Sequence, residues 1–195
     1  LERAFGVERI VVTTFQAISG AGRPGPSASE MTDNVIPFIA GEEEKLAREP
    51  GKILGQVDSR EIRHASFRVS ALVHRVPVSH GHLLAVSASL AGEPSPEEVT
   101  AALGEFRGSE ECRSLPTAPD RLLEVLPGED RPQPRLDRGR GGGMTVTVGR
   151  IRSCPVLGVK LSVLSHNLLR GAAGAAVLNA ELCRARGLVG AGAAA

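Results

Sequence analysis

The sequence predicts an α+β fold in which a mixed or antiparallel sheet carries its helices mainly on one face. Segments rich in apolar and β-branched residues predict strands, and segments with helical periodicity lie between them. The order along the chain is a strand, a helix, an antiparallel pair of strands, a helix, two more strands and a last helix. A sheet covered on one face leaves the other face open, so we expect a partner there, either another copy or a further part of the chain.

The first quarter of the chain predicts a strand, a loop and a helix. Glu8–Phe15 is apolar and β-branched, as in a buried strand, and Gln16–Ser29 is rich in Gly, Pro and Ser, which end it. Gly41–Arg48 places three acids where the first turn of a helix favours negative charge. We expect Pro50 and Gly51 to end that helix, because proline lacks the backbone N–H that the helix needs.

Val69–Leu84 is the stretch around which we expect the chain to be organised. Residues 60–73 alternate between apolar and polar side chains, and Leu83–Leu90 predicts a returning strand. Two strands in succession predict an antiparallel pair with one buried and one solvated face.

The bend between these strands is predicted to bring two chemically active side chains to the same pocket. Pro77 removes a backbone donor and Gly81 tolerates positive φ, so the chain should turn there. Arg75 and His82 flank the turn. Arginine binds a carboxylate through its planar guanidinium fork, and histidine exchanges protons near neutral pH.

The second half predicts two helices, two strands and an ordered surface connection. Ser95 is placed as an N-cap and Pro96 as the first helical residue, with acids following in the first turn. The remaining segments, in order, are a helix over Pro94–Phe106, an ordered connection over Leu115–Arg140, strands over Met144–Ile151 and Val156–Leu164, a helix over Leu168–Arg186 and a frayed end over 187–195.

Composition excludes several classes of function. The 195 residues carry 23 basic and 22 acidic side chains, Trp and Tyr are absent, and Phe occurs five times, so we expect no nucleic-acid partner. No apolar run approaches the length of a membrane span, so we expect no membrane partner. The three cysteines contain no CxxC pair, which predicts a reducing, cytoplasmic location and no metal site.

The chain lacks an initiator Met and begins like the tail of a helix, so we expect it to be cut at its front.

Five blocks of sequence resemble consecutive blocks of the aspartate-β-semialdehyde dehydrogenases, and the resemblance is strongest to the archaeal and fungal-like branch. Together the blocks span nearly the whole chain in the family's order. They are FQAISGAGRPG (15–25), NVIPFIAGEEEKL (34–46), HRVPVSHGH (74–82), RPQPRLDRGRGGGMTVTVGRIRSCPV (131–156) and HNLLRGAAGAAVLNAEL (166–182).

The resemblance implies an NADPH-dependent reductive dephosphorylation of β-aspartyl phosphate to aspartate-β-semialdehyde, on the route to lysine, threonine and methionine. It also implies the C-terminal domain of the glyceraldehyde-3-phosphate dehydrogenase-like fold and a homodimer or a dimer of dimers. In that family a cysteine thiolate attacks the acyl group, phosphate leaves, and the thioester accepts a hydride; a neighbouring histidine can take the thiol proton.

The resemblance assigns roles to eight residues of this chain. The catalytic residues are His82, as acid and base, and Gln16, beside the thiol. The remaining residues bind ligands: Arg75 the substrate carboxylate, Glu42 its ammonium group, Lys45 the phosphate, and Ser19, Gly20 and Asn167 the nicotinamide end of NADP. Which of Glu42, Glu43 and Glu44 faces the substrate stays open, as does the choice between NADP and NAD.

The chain also departs from the family's pattern. His74 stands where the family usually has Asn, and Val73 where it has a small residue or Cys. Neither the glycine-rich nucleotide fingerprint nor the Asn-Cys nucleophile motif is present, and we do not expect Cys112, Cys154 or Cys183 to replace the nucleophile.

Those absences predict a C-terminal part that is inactive alone. We expect a catalytic and dimerisation domain over 1–164 and, over 165–195, a helix that packs on the missing nucleotide-binding domain. A related reductase acting on malonyl-CoA or N-acetyl-γ-glutamyl phosphate, and a non-catalytic oligomerisation module, are the alternatives.

Overall fold

The computed structural model describes residues 1–58 and 61–190, and its centre is a six-stranded mixed sheet. Its apolar and β-branched segments form strands because such side chains pack well on a pleated surface. The described strands are β1 (Val7–Ala17), β2 (Gln56–Val57), β3 (Ile62–Arg63), β4 (Arg68–Val76), β5 (His82–Leu90), β6 (Leu123–Leu126), β7 (Val146–Cys154) and β8 (Gly158–Ser165).

The large sheet has the strand order β4-β1-β5-β8-β7-β6, and β2 and β3 form a separate hairpin. Strand β1 pairs parallel with β4 and antiparallel with β5, and β6 pairs parallel with β7. The remaining neighbours, β5 with β8 and β8 with β7, are antiparallel. The sheet is therefore mixed, as the sequence predicts.

Short helices connect the strands. The Ser95 hydroxyl accepts a hydrogen bond from the backbone N–H of Glu98, and the Glu98 carboxylate accepts one from the backbone N–H of Ser95, so the predicted helix after β5 begins with a complete capping box. A π-helical turn at Leu169–Ala173 precedes the last helix. The described α-helices are α1 (Glu2–Phe5), α2 (Ala28–Met31), α3 (Glu42–Ile53), α4 (Pro96–Glu105), α5 (Glu110–Arg113), α6 (Pro134–Asp137) and α7 (Gly174–Ala185).

One face of the sheet holds the main core. Val99 and Leu103 of α4 pack on side chains from the central strands, and α3 packs on β4 of the same sheet. Successive strand residues point to opposite faces, so the residues opposite this core form a second surface. We call this second surface the open face; the sheet residues that contribute to it are Val11, Thr13, Phe15, Leu72, His74, Ala85, Ser87, Lys160 and Ser162. The predicted α+β class, with helices covering one face, is confirmed.

Two local predictions are wrong. The strands on either side of Pro77 do not pair with each other, because β1 lies between β4 and β5. The helix does not end at Pro50, since α3 continues to Ile53 with the proline inside it. Proline deletes one helical hydrogen bond, but tertiary packing of α3 on β4 can offset that loss.

The connection over 115–140 is ordered, as predicted, but it also contains strand β6 and helix α6, which the sequence analysis missed. Strand β4 begins later than the alternating pattern predicts, at Arg68. The first residue of that pattern, residue 60, and the end of the tail, 191–195, lie outside the described residues.

Candidate active site

The predicted site residues converge where β1 and β4 end and β5 begins. Gln16 lies opposite Arg75 in the parallel pairing of β1 with β4, and both side chains are buried, 7% and 6% exposed. His82 is the first residue of β5, and its neighbour Leu83 pairs with Phe15 of β1. This register brings Gln16, Arg75 and His82 to one end of the core-bearing face.

His82 is held by the backbone of β1. Its Nδ1 atom accepts a hydrogen bond of 3.0 Å from the N–H of Ala17, so the neutral ring carries its proton on Nε2. Burial, with a smaller contribution from the Arg75 guanidinium, lowers the pKa of His82 to about 4, and Glu42 opposes this shift. At neutral pH the ring is therefore uncharged and presents an Nε2–H donor.

Arg75 is anchored to the same backbone residue. Its Nη1 donates to the carbonyl oxygen of Ala17 over 2.8 Å. The backbone of Arg75 forms a two-hydrogen-bond bridge with Ile36, which fixes the outer side of β4 at this point. Burial lowers the pKa of Arg75 and Glu42 raises it, but arginine remains charged in proteins. The site thus holds a buried, immobilised cation.

Helix α3 contributes an acid and a base on one face. Glu42 accepts hydrogen bonds from Gln16 Nε2 at 3.3 Å and from Lys45 Nζ at 2.9 Å. Burial raises the pKa of Glu42, but the hydrogen bonds from Lys45 and Gln16 outweigh burial and hold the pKa below its ordinary value. Glu43 instead accepts from the backbone N–H of Val73, so among the three acids Glu42 is the one bonded to a site residue.

Asn167 connects the predicted cofactor residues to the turn before β5. Its Oδ1 accepts from the N–H of Gly81 at 2.8 Å, and its Nδ2 donates to Ser19 Oγ at 2.9 Å. Gly81 has a φ of +96°, which favours glycine, and it precedes His82 directly. One amide side chain therefore links the predicted cofactor side of the site to the catalytic side.

Gly20 lies against the two central side chains. A Cβ placed on Gly20 would lie 2.9 Å from Cε1 of His82 and 3.0 Å from both Nε2 of His82 and Nη1 of Arg75. The Nε2 edge of His82 and the guanidinium of Arg75 thus face the same glycine. A bare backbone here permits a planar ligand to approach closely.

The eight predicted residues lie in one set of contacts, but the backbone groups that organise them were not predicted from the sequence. Ala17 orients both His82 and Arg75 through its N–H and its carbonyl, and the N–H of Gly81 anchors Asn167. These groups belong to the backbone, so the residue types in the sequence do not identify them. A strand that ends at the start of a glycine-rich loop is the signal that could have indicated them.

The described cysteines are free thiols, and Cys154 lies far from the site. It pairs with Gly158 at one end of β8, whereas His82 pairs with Ser165 at the other end, about 23 Å away at strand spacing. Hydrogen bonds from the backbone of Leu157 and Val156 lower the pKa of Cys154, but the thiol cannot reach His82.

Two features are absent from the described residues, a metal-binding cluster and a membrane-spanning helix. Residues 1–58 and 61–190 hold no cluster of three or more metal-ligating side chains. In the same part of the chain, each helix is too short or too polar to cross a membrane.

Comparison with known proteins places the chain among the semialdehyde dehydrogenases. Residues 1–170 match the family model described as the semialdehyde dehydrogenase dimerisation domain. The aspartate-semialdehyde dehydrogenase of Archaeoglobus fulgidus is 50% identical over 177 residues, which cover 91% of this chain and 50% of that protein. The aspartate-semialdehyde dehydrogenase of Candida albicans is 43% identical over 198 residues, covering 97% and 54%. The chain spans about half the length of the curated relatives it matches.

Solved structures of aspartate-semialdehyde dehydrogenases also match this chain. A crystal structure of the Candida albicans enzyme with NADP superposes with a TM-score of 0.88 at 41% identity, over 96% of this chain and 54% of that one. Aspartate-semialdehyde dehydrogenase II of Vibrio cholerae, complexed with ASA, gives a TM-score of 0.75 at 29% identity, over 94% and 56%. The chain therefore belongs to the semialdehyde dehydrogenase family, and its residues 1–170 carry that family's dimerisation domain.

Proposed function

We propose that this chain is the C-terminal part of an aspartate-semialdehyde dehydrogenase, in which it binds the substrate and supplies the acid–base group. The whole enzyme would convert β-aspartyl phosphate and NADPH to aspartate-β-semialdehyde, phosphate and NADP. The observation that carries the proposal is the meeting of Arg75, His82 and Gln16 at the ends of three strands, with Glu42 bonded to Gln16.

The substrate-binding roles follow from charge and burial. Arg75 uses one guanidinium donor on Ala17, which leaves further donors for a carboxylate in a fixed orientation. Glu42 is ionised and would pair with the ammonium group of the substrate. Lys45 is half exposed beside Glu42 and would meet the phosphate from the solvent side.

His82 would act first as a hydrogen-bond donor. In the described tautomer its Nε2–H points toward Gly20 and Arg75, where it can stabilise negative charge that develops on the substrate. To accept a thiol proton at Nε2, the ring must take the other tautomer and give up the hydrogen bond from Ala17. Accepting a proton is therefore the more costly part of the acid–base role. The amide of Gln16 would orient the substrate oxygen on which the negative charge develops.

The residues fit the nicotinamide end of NADP. Ser19 and Asn167 form a hydrogen-bonded pair beside Gly20, and the bare backbone of Gly20 keeps the approach to His82 open. NADP, when bound, supplies or accepts the hydride. Ser19 and Asn167 would orient the ring, and Gly20 would let it lie close to His82.

A partner copy would cover the open face. That face carries exposed apolar side chains, among them Val11 at 48% and Leu72 at 59% exposed, between small residues such as Thr13, Ala85 and Ser87. A flat, partly apolar sheet face suits packing against a second sheet. We extend the proposal to a homodimer through this face, with a dimer of dimers as a further possible assembly.

The domain division and the location are also part of the proposal. Residues 1–164 would form the catalytic and dimerisation domain, and 165–195 would pack on a nucleotide-binding domain in the longer protein. Helix α7 supports the division, because Ala176, Val177 and Ala180 lie exposed on it. Three free cysteines suit a cytoplasmic location.

The test is the activity of a longer form that also contains the N-terminal half found in the relatives. Phosphate-dependent reduction of NADP with aspartate-β-semialdehyde supports the proposal, and His82→Ala serves as the inactive control. Preference for malonyl-CoA or N-acetyl-γ-glutamyl phosphate would replace the substrate assignment, because Glu42 has no free amine to bind in either. An inactive longer form that still dimerises would favour a non-catalytic oligomerisation module.

A further inference from the structure

Asp137, at the end of α6, is a buried carboxylate that the proposed chemistry does not use. It is 0% exposed and accepts hydrogen bonds from Arg131 through Nε and Nη2, from the N–H of Gln133 at 2.7 Å and from Arg140 at 3.2 Å. Arg140 also pairs with Glu124 of β6 at 2.7 Å. We call these five residues the Asp137 cluster. The hydrogen bonds from Arg131, which contributes most, and from Gln133 and Arg140 lower the pKa of Asp137 to about 2, against the opposing effect of burial.

The residue after Asp137 touches the turn that carries His82. Arg138 Nη1 donates to the carbonyl oxygen of His80 at 3.1 Å. A Cβ placed on Gly81 would lie 3.3 Å from Cβ of Arg138 and 3.4 Å from Cβ of Pro134, so α6 packs directly against this glycine. Helix α6 therefore supports the two residues that precede His82.

The same turn anchors the other side of the site. The N–H of Gly81 is the donor that holds Asn167, and Asn167 holds Ser19. A shift of His80 and Gly81 would thus alter the position of His82 and the orientation of the Asn167 amide together. The contacts form an unbroken path from the Asp137 cluster to both predicted halves of the site.

We propose that Asp137 is a positioning residue: its cluster fixes α6, and α6 fixes the turn that places His82 against Ala17 and Asn167 against Ser19. The inference rests on the proposed function only for the role of His82 in the reaction. The geometry itself is a property of this chain and can be tested without catalysis.

The hydrogen bond between Ala17 and His82 makes the placement measurable. It has an N···N distance of 3.0 Å, within the ordinary range, and a displacement of about half an ångström would lengthen it beyond that range. The charged groups that act on His82 in the described structure are Arg75 and Glu42, and neither belongs to the Asp137 cluster. A change in His82 titration after an Asp137 substitution would therefore report geometry rather than lost charge.

The experiment follows the His82 ring by nitrogen-15 NMR in the 195-residue chain, as a function of pH. Asp137→Asn keeps the shape of the side chain but removes the charge that holds the two arginines. Arg138→Met keeps the stem and removes the donor to His80. Glu111 lies on α5, and Glu111→Gln, which breaks the exposed ion pair of Glu111 with Arg186, serves as the matched control.

In both test variants we expect the protonation midpoint of His82 to rise by about one pH unit or more toward its ordinary value, with a mixture of tautomers at neutral pH. The control should match the wild type. If folded Asp137→Asn and folded Arg138→Met both keep the wild-type midpoint and tautomer, Asp137 stabilises the loop and nothing more. If Asp137→Asn fails to fold, Arg138→Met decides alone by the same criterion.

A second readout separates this inference from the proposed function. In the active longer form, Asp137→Asn should shift the pH profile of kcat while leaving the KM for substrate within about twofold, and Asp137→Glu should recover part of the profile. If the longer form has no activity on aspartate-β-semialdehyde, the proposed function fails while the NMR result on Asp137 stands.

Discussion

The sharpest steric test of the site is the substitution Gly20→Ala. A methyl group on Gly20 would lie 2.9–3.0 Å from His82 and Arg75, whereas ordinary contacts of a Cβ begin at 3.4 Å. The φ of Gly20 is not in the left-handed region, so alanine fits the backbone, and the cost comes from the clash alone. One or both side chains must move by about 0.5 Å.

The two neighbours have little freedom to move. Arg75 is 6% exposed and bonded to the Ala17 carbonyl, and His82 is bonded to the Ala17 N–H. Overpacking a site of this kind costs about 1–3 kcal/mol of unfolding free energy. In the longer form, a displacement of this size at reacting groups should lower kcat/KM by up to about 100-fold.

The assay compares urea unfolding of the wild-type chain, Gly20→Ala and the control Gly104→Ala. Gly104 lies in α4, and a Cβ there would meet no atom within 4 Å. Alanine at Gly104 should stabilise the chain, by about 0.5–1 kcal/mol, because it limits the unfolded backbone and favours the helix. A Gly20→Ala chain as stable as the wild type, with unchanged His82 NMR signals, would refute the described contact between Gly20 and the His82–Arg75 pair.

Four further predictions use single substitutions. The unfolded state binds a proton at His82 below pH 6.5, whereas the folded state binds it only below about pH 4. The unfolding free energy of the wild type should therefore fall by at most about 3 kcal/mol as the pH drops from 6.5 to 4. In a series of urea-unfolding measurements, His82→Gln should reduce this dependence on pH. Arg75→Lys should raise KM for the carboxylate substrate at least tenfold in steady-state assays of the longer form, because lysine lacks the planar fork. Lys45→Met should raise KM for phosphate but change the unfolding free energy by less than about 1 kcal/mol, since the Lys45 side chain is 53% exposed. Leu72→Glu should convert the dimer to monomer in sedimentation, whereas the control Phe106→Glu, at the end of α4 on the other side of the sheet, should stay dimeric.

Local signals in the sequence predicted the local structure well. The capping residues Ser95 and Pro96 begin α4 as expected, and the alternating segment after the glycine run forms β7. Period and capping are properties of neighbouring residues, so a single sequence contains them. The site residues were predicted for a different reason, because the five blocks resemble a known family.

The pairing of the strands could not be predicted in the same way. The chain order suggested that β4 and β5 pair around Pro77, but β1 pairs with both of them. That arrangement depends on contacts between residues 59 positions apart, such as Gln16 and Arg75, and no local pattern encodes them. The short strand β6 was missed because Leu123–Leu126 is flanked by charged and proline-rich sequence, typical of a loop.

The geometry of β1 and β4 connects the site to the open face. Gln16 and Arg75 point into the site, and the residues before them, Phe15 and His74, lie on the open face with their rings stacked at 5.9 Å. A partner that packs on Phe15 and His74 therefore contacts the same strand segments that position Gln16 and Arg75. For this reason Leu72→Glu should lower activity of the longer form along with dimerisation, although Leu72 lies on the face of the sheet opposite Gln16 and Arg75. A monomeric variant with full kcat and unchanged KM would show that the two faces of the sheet act independently.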